Sequence, residues 1–199
     1  MNYKIDARGQ DCPRPVIMTK QKLDEIDNGV VTTLVDNEVA KENVSKLADS
    51  LGLDFTVEEK GEDYYITINK GSGKEMPKEG KASSSNINED MVLGISSNIM
   101  GRDNKELGKI LMKNFIYTVS ESKPYPSTIL FYNEGVRLAC EDSEVLNDLI
   151  KLEKEGVEII SCGICLDYLN IQDKLEVGSI SNMYNIYEKL RDNRNMIIG

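Results

Sequence analysis

Residues 71–89 carry no apolar periodicity, and they divide the chain into two halves that do. The stretch runs Gly71-Ser72-Gly73, then Lys-Glu-Met-Pro-Lys-Glu-Gly-Lys, then Ser83-Ser84-Ser85. That is the composition of a flexible linker. A chain of 199 residues fits one large or two small domains, and the break favours two, 1–70 and 90–199. With 40% hydrophobic and 29% charged residues, each half is expected to be globular.

The first half reads β-α-β-α-β-β. Residues 2–6 make a short strand. Val16, Thr19, Leu23 and Ile26 follow at helical spacing, and Gly29 ends that helix. Val31 to Val35 is short and β-branched, a strand. Asn37 caps a second helix that turns Ala40, Val44, Leu47 and Leu51 inward and stops at Gly52. Leu53, Phe55 and Val57 alternate, as do Tyr64, Ile66 and Ile68, and Gly61 between them makes a hairpin. Two helices against a four-stranded sheet give a two-layer α/β sandwich.

The second half alternates strands and helices. Met91 to Ile95 is a buried-type strand, followed by a helix from about Lys105 to Val119 with Leu107, Ile110, Leu111 and Phe115 inward. Thr128 to Tyr132 is the next strand. Ser143 caps a helix carrying Val145, Leu146, Leu149 and Leu152, and Gly156 ends it. Val157 to Ile160 is the third strand. A short strand near Leu175–Val177 precedes a helix with Met183, Ile186, Tyr187 and Leu190, and 195–198 supplies a last strand. This repetition predicts a mostly parallel sheet with helices on both faces.

Bulk charge narrows the function. Net charge is −10 with no long basic stretch, so no nucleic-acid partner is expected. No apolar run approaches membrane-spanning length, and Met1 to Asp6 lacks the apolar core of a signal peptide. A cytoplasmic protein with no membrane partner is therefore expected. The 199 residues contain no histidine, which excludes Cys–His and Ser–His pairs within them and any zinc site that needs histidine. Four cysteines in an intracellular chain read as catalytic, redox or metal residues before disulfide staples.

Cys12 lies in Asp11-Cys12-Pro13-Arg14-Pro15, after a strand and at the mouth of a helix. A helix N-terminus offers partial positive charge and unpaired N–H groups, which favour a thiolate, the reactive form of cysteine. Pro13 is expected at the first helical position, where a missing N–H costs little, and Pro15 in the first turn. Such a sulfur suits a carrier that hands a sulfur-type atom to a partner. The alternative is an ordinary helix start. Arg14 and Lys20 either support the thiolate or are solvated helix residues.

In an open α/β sheet, ligands sit outside the carboxyl ends of the strands. Ser96 to Gly101, Asn133-Glu134-Gly135 with Cys140 soon after, and Ser161-Cys162-Gly163-Ile164-Cys165 all fall there. Cys162-Gly-Ile-Cys165 is a C-x-x-C, able to form a disulfide or simply to pack in a buried turn. It supplies two metal ligands and Cys140 at most a third, so no metal and no cofactor are expected. Cys140 itself is either a third reacting thiol or a buried small side chain.

Ile5 to Pro15 resembles the signature of the TusA (SirA-like) sulfur carriers, over about residues 2–70. There the C-P-x-P cysteine bears a persulfide, which implies that role for Cys12. Residues 90–199 resemble the DsrE-like family through Asn133-Glu134-Gly135-Val136 and Gly156 to Asp167. That resemblance implies a relay cysteine at Cys162, with Cys165 completing a C-x-x-C-L-D variant. The two together are similar to the YedF-type proteins, associated with selenium metabolism.

The resemblance implies a sulfurtransferase-like carrier of sulfane sulfur or selenium. Cys12 holds the persulfide or perselenide, Cys162 gives or receives it, and Cys165 resolves the intermediate as a disulfide. Its partners are a cysteine desulfurase or other donor and an acceptor protein, with a homo-oligomer formed through the C-terminal domain. The alternative is a thiol redox-sensing or assembly module that uses the Cys162/Cys165 pair without turnover. A third reading is wholly structural, with inert buried cysteines.

Overall fold

The computed structural model describes residues 1–71 and 86–199, and the chain divides into two compact units, Met1–Lys81 and Ala82–Gly199. Most of the segment assigned from sequence to a linker lies outside the described residues.

The first unit runs β1 (Asn2–Asp6), α1 (Arg14–Glu25), β2 (Gly29–Val35), α2 (Glu38–Ser50), β3 (Asp54–Lys60) and β4 (Asp63–Lys70). Its strands are ordered β1-β2-β4-β3, with β1 parallel to β2 and the other pairs antiparallel. One face is covered by both helices. Leu23 from α1, Val44 and Ala48 from α2, and Val31, Ile66 and Ile68 from the sheet meet there, all fully buried. The helices bury positions four apart, because that spacing keeps side chains on one stripe. In α2 the innermost set is Ala40, Val44 and Ala48, small residues that let the helix lie close, while Leu47 is half-buried. Asn37 caps α2 as expected, its side chain accepting from the Ala40 N–H at 2.8 Å.

One polar device fixes α1. The buried Thr19 hydroxyl donates to the Pro15 carbonyl at 2.7 Å, and the equally buried Thr33 hydroxyl on β2 lies 2.8 Å from Thr19 Oγ1. Thr19 has one proton, already given to Pro15, so Thr33 is the donor between them. The bond ties the first turn of α1 to the central strand β2.

The second unit runs β5 (Ile87–Ile95), α3 (Lys105–Glu121), β6 (Tyr125–Phe131), a 3-10 segment (Asn133–Ala139), α4 (Leu146–Lys154), β7 (Glu158–Cys162), α5 (Gly163–Tyr168), a 3-10 turn (Gln172–Lys174), β8 (Ser179–Ser181), α6 (Met183–Asp192) and β9 (Arg194–Ile198). Its five strands are all parallel, in the order β8-β7-β6-β5-β9, with helices on both faces. The core joins Leu93, Ile95, Ile129, Phe131 and Ile159 of the strands to Met112, Ile116, Leu149 and Leu152 of the helices. No helix among the described residues is long and apolar enough to cross a membrane.

Several local expectations are corrected. β5 begins at Ile87, inside the stretch assigned to linker, because Ile87 and Asn88 pair with Tyr125 and Pro126. Pro13 is the N-cap of α1, and Arg14 takes the first helical position. Ser143 does not cap α4: Val145 does, without a side-chain bond, and Ser143 offers only its carbonyl to the Leu146 N–H. The short strand near Leu175–Val177 is a single antiparallel bridge between Leu175 and Cys140, and the strand lies at β8 instead.

The largest correction is the face of α3. Gly108, Met112, Ile116 and Ser120 are buried, while Leu107, Ile110 and Leu111 are 50%, 57% and 40% exposed. α3 is apolar on more than one side, so periodicity alone does not orient it. Two contacts do. A Cβ at Gly108 would stand 2.9 Å from the Met100 carbonyl oxygen, and Ser120 donates to Asp148 of α4 at 2.9 Å. In α6 likewise, Ile186 is buried and Leu190 partly so, but Met183 and Tyr187 are 48% and 55% exposed.

Candidate functional site

The loop between β1 and α1 carries Cys12, and the chain anchors the end that follows β1. Arg8 donates to both carboxylate oxygens of Asp6, at 2.9 and 2.6 Å, and to Asp63 on β4 at 2.9 Å. Those bonds hold the Asp6 carboxyl well below its ordinary value, at about 2. Gly9 turns the chain at φ +66°, and its N–H donates to the Asp36 carboxylate at 2.6 Å, which lowers that carboxyl too. The Ala7 N–H continues the β1–β2 ladder to the Leu34 carbonyl at 2.9 Å. Beyond this braced turn, Cys12 is exposed.

The sulfur's surroundings differ from the sequence expectation. In the first turn of α1 the Arg14 N–H donates to the Asp11 carbonyl, those of Val16 and Ile17 donate to the Pro13 carbonyl, and Pro15 has none. No unpaired first-turn N–H is left for the thiol. The group that reaches Cys12 Sγ is the Asn43 side-chain amide of α2, at 3.6 Å. Arg14 donates to Gln10 Oε1 at 3.3 Å, and Lys20 is paired with Asp24 at 2.7 Å. Asn43 and Asp36 were not singled out by sequence. Asn43 stands 31 residues from Cys12, and no spacing rule links the two.

In the second unit two of the three cysteines come together. Cys162, the N-cap of α5, is fully buried at the carboxyl end of β7. Cys165, half-buried in the same helix, accepts from the Asn133 backbone N–H at 3.1 Å. Asn133 follows β6 with φ +52°, a left-handed conformation that few residues other than glycine adopt. Burial pushes the Cys165 thiol up, and a hydrogen bond with Cys162 adds to it, while the Asn133 N–H pulls the other way. Glu134 is occupied by Arg137 at 2.5 Å. Gly135 lets two strand ends meet: its N–H bonds to the Ser96 and Tyr132 carbonyls, and a Cβ there would stand 2.3 Å from Ile95 O.

Cys140 does not join the pair through its sulfur. It is buried and donates to the Val136 carbonyl at 3.3 Å, and desolvation raises its thiol. Among the described residues no group of three or more cysteine, aspartate or glutamate side chains is placed to hold a metal ion.

A small βαβαββ sandwich that presents one exposed cysteine on a braced loop before its first helix defines the N-terminal unit as a thiol-presenting domain. Residues 3–70 match the family model described as sulfurtransferase TusA. A relative described as "Putative sulfur carrier protein MJ0990", from Methanocaldococcus jannaschii, is 32% identical over 68 residues, 34% of this chain and 91% of the relative. The chain therefore belongs, through its N-terminal unit, to the TusA family. Among solved structures, a SirA-like protein from Desulfitobacterium hafniense is 41% identical, covering 35% of this chain and 99% of its own at a TM-score of 0.34. A protein of unknown function from Methanobacterium thermoautotrophicum is 19% identical, covering 55% of this chain and 99% of its own at a TM-score of 0.42.

Proposed function

We propose that the chain is a cysteine-based carrier of sulfane sulfur or selenium, with the persulfide or perselenide held on Cys12. The observation that carries this reading is the exposed Cys12 sulfur within the TusA-family unit. Pro13 and Pro15 stiffen the backbone beside it, and the Arg8–Asp6–Asp63 and Gly9–Asp36 bonds keep the preceding turn in place. The chemistry is thiolate attack on a sulfur atom through a mixed intermediate.

In this reading the second unit is DsrE-like, the fusion is of the YedF type, and the cargo belongs to selenium metabolism. Cargo passes on through the Cys162/Cys165 pair, beside Asn133 and Glu134, while Cys140 stays structural. The donor is a cysteine desulfurase or a comparable enzyme, the acceptor is a second protein, and the setting is the cytoplasm. Exposed Leu107, Ile110 and Leu111 on α3 and Tyr184 and Tyr187 on α6 favour self-association through this unit.

Incubation with a cysteine desulfurase and cysteine, followed by peptide mass mapping, tests the reading. The Cys12 peptide should gain one sulfur atom, and Cys12→Ser should abolish that gain. A second reading, a redox-sensing dithiol without turnover, is favoured by the places of Cys162 and Cys165 at the N-cap and in the first turn of α5, close enough for each to affect the other. It predicts loss of two hydrogens from that peptide under mild oxidant and no sulfur on Cys12.

A further inference from the structure

The two thiols of the second unit differ in what can reach them. Cys162 has no exposed surface. Cys165 is only half-buried, next to the 70% exposed Ile164. Cys165 also has a fixed donor aimed at its sulfur, the Asn133 N–H at 3.1 Å, and Asn133 holds a left-handed φ of +52° to present it. Asparagine is among the few residues that adopt this conformation readily, so the turn holds its N–H in place at little cost. An N–H aimed at sulfur stabilises negative charge there and offsets part of the burial that otherwise disfavours the thiolate.

We propose that Cys165 is the sulfur through which this unit takes cargo from a persulfide-bearing donor, and that Cys162 resolves the adduct from inside. This order is the reverse of the one implied by the sequence resemblance, and it rests on the carrier reading only for the identity of the cargo.

Cys165, as thiolate, attacks the outer sulfur of the donor R–S–SH. A new sulfur–sulfur bond forms at Cys165 Sγ, the donor's bond breaks, and R–S⁻ leaves and takes up the proton that Cys165 gave up. Cys162, deprotonated in turn, then attacks Cys165 Sγ. The bond to the outer sulfur breaks, and that atom departs with the electron pair as sulfide, collecting the Cys162 proton. The outer sulfur is reduced by two electrons, and the two thiols are oxidised by two electrons to a disulfide. A perselenide donor gives selenide by the same steps.

The test is a single turnover with glutathione persulfide, using the full chain in a Cys12→Ser background so that the exposed thiol of the first unit is silent. Sulfide is measured and the peptide spanning 157–169 is mapped by mass. Sulfide release with loss of two hydrogens from the peptide is expected. Adding Cys162→Ser should abolish sulfide release and leave the extra sulfur on Cys165. Adding Cys165→Ser should leave neither sulfide nor adduct. An adduct on Cys162 in the Cys165→Ser chain, with none on Cys165 in the Cys162→Ser chain, overturns the order. Cys162→Ala guards against misfolding of one variant, and the unmutated chain gives an independent readout, because iodoacetamide should modify Cys165 before Cys162. The reverse order of labelling counts against the proposal. Sulfur on Cys12 of the unmutated chain, with no change at the pair, overturns this proposal and leaves the carrier reading standing. Release at the pair with Cys12 unloaded does the opposite.

Discussion

The side-chain amide of Asn43 lies 3.6 Å from the Cys12 sulfur, so a residue on α2 attends a thiol on the loop before α1. With the first-turn N–H groups of α1 engaged by backbone carbonyls, this amide is the donor that the fold supplies to the sulfur. Asn43→Ala should therefore slow alkylation and sulfur loading of Cys12 while leaving the fold intact. A long, partly solvated bond to sulfur is worth about 0.5–1 kcal/mol, a two- to fivefold change in rate. Stopped-flow alkylation of Cys12, with circular dichroism as the control, checks this.

Cys12 should be the fastest thiol to alkylate in the unmutated chain, and Cys140 among the slowest. Cys140 is 4% exposed, donates its proton to Val136 O, and is pushed up by desolvation, so both access and thiolate content are low. Time-resolved iodoacetamide mapping at neutral pH reads the order directly. A Cys140 rate above that of Cys12 would refute it.

Thr33→Val should destabilise the N-terminal unit by about 1–2 kcal/mol, because it removes the donor to Thr19 and leaves a buried oxygen with one partner fewer. Since the same Thr19 holds the Pro15 carbonyl, the loss should also reach the turn beneath Cys12. Urea unfolding measures the first effect, and amide exchange in the first turn of α1 measures the second.

Acid should loosen the Cys12 loop before it unfolds the unit. The folded-state value of Asp6 is lowered from 3.8 to about 2 by Arg8, and that of Asp36 is lowered by the Gly9 N–H. A carboxyl depressed in the folded state contributes stability that is full above its unfolded value and is lost as pH falls through the folded one. The loop should hold above pH 4 and open as the pH falls toward 2. The Gly9 amide resonance followed by NMR titration would show it, and Asp36→Asn should flatten part of the response.

Gly135→Ala should cost the C-terminal unit about 2–4 kcal/mol. The added carbon would stand 2.3 Å from Ile95 O, a backbone atom that cannot step aside without moving β5. Thermal unfolding of the full chain gives the size. Displacement of Asn133, whose N–H is the donor to Cys165, should also appear as slower alkylation of that thiol.

Much of the fold was legible because period and punctuation agree. Asn37, Gly52 and Gly61 mark their turns, and the alternation through Ile66 and Ile68 gives the buried strand. What escaped is set by long-range contact. α3 has apolar residues on several sides, and its orientation is decided by Met100 at Gly108 and by Asp148 at Ser120. The bridge of Leu175 to Cys140 was misread as a strand of the sheet because a short apolar run looks alike in both. At the candidate sites, sequence offered the cysteines but not their surroundings. Asn43 beside Cys12, Asn133 beside Cys165 and the complete burial of Cys162 are set by contacts far apart in the chain, which no local motif encodes.

The all-parallel order of the second sheet has a bearing on how such a protein changes over generations. Because β5, β6 and β7 all run the same way, the segments after Ile95, Phe131 and Cys162 emerge on one rim, and each is followed by its own return path. A residue exchanged at an exposed position of 163–170, such as Ile164, alters the chemistry there without shifting any strand register. The rim is thus a place where lineages can trade reactive side chains piecemeal, while the ladder beneath is inherited whole.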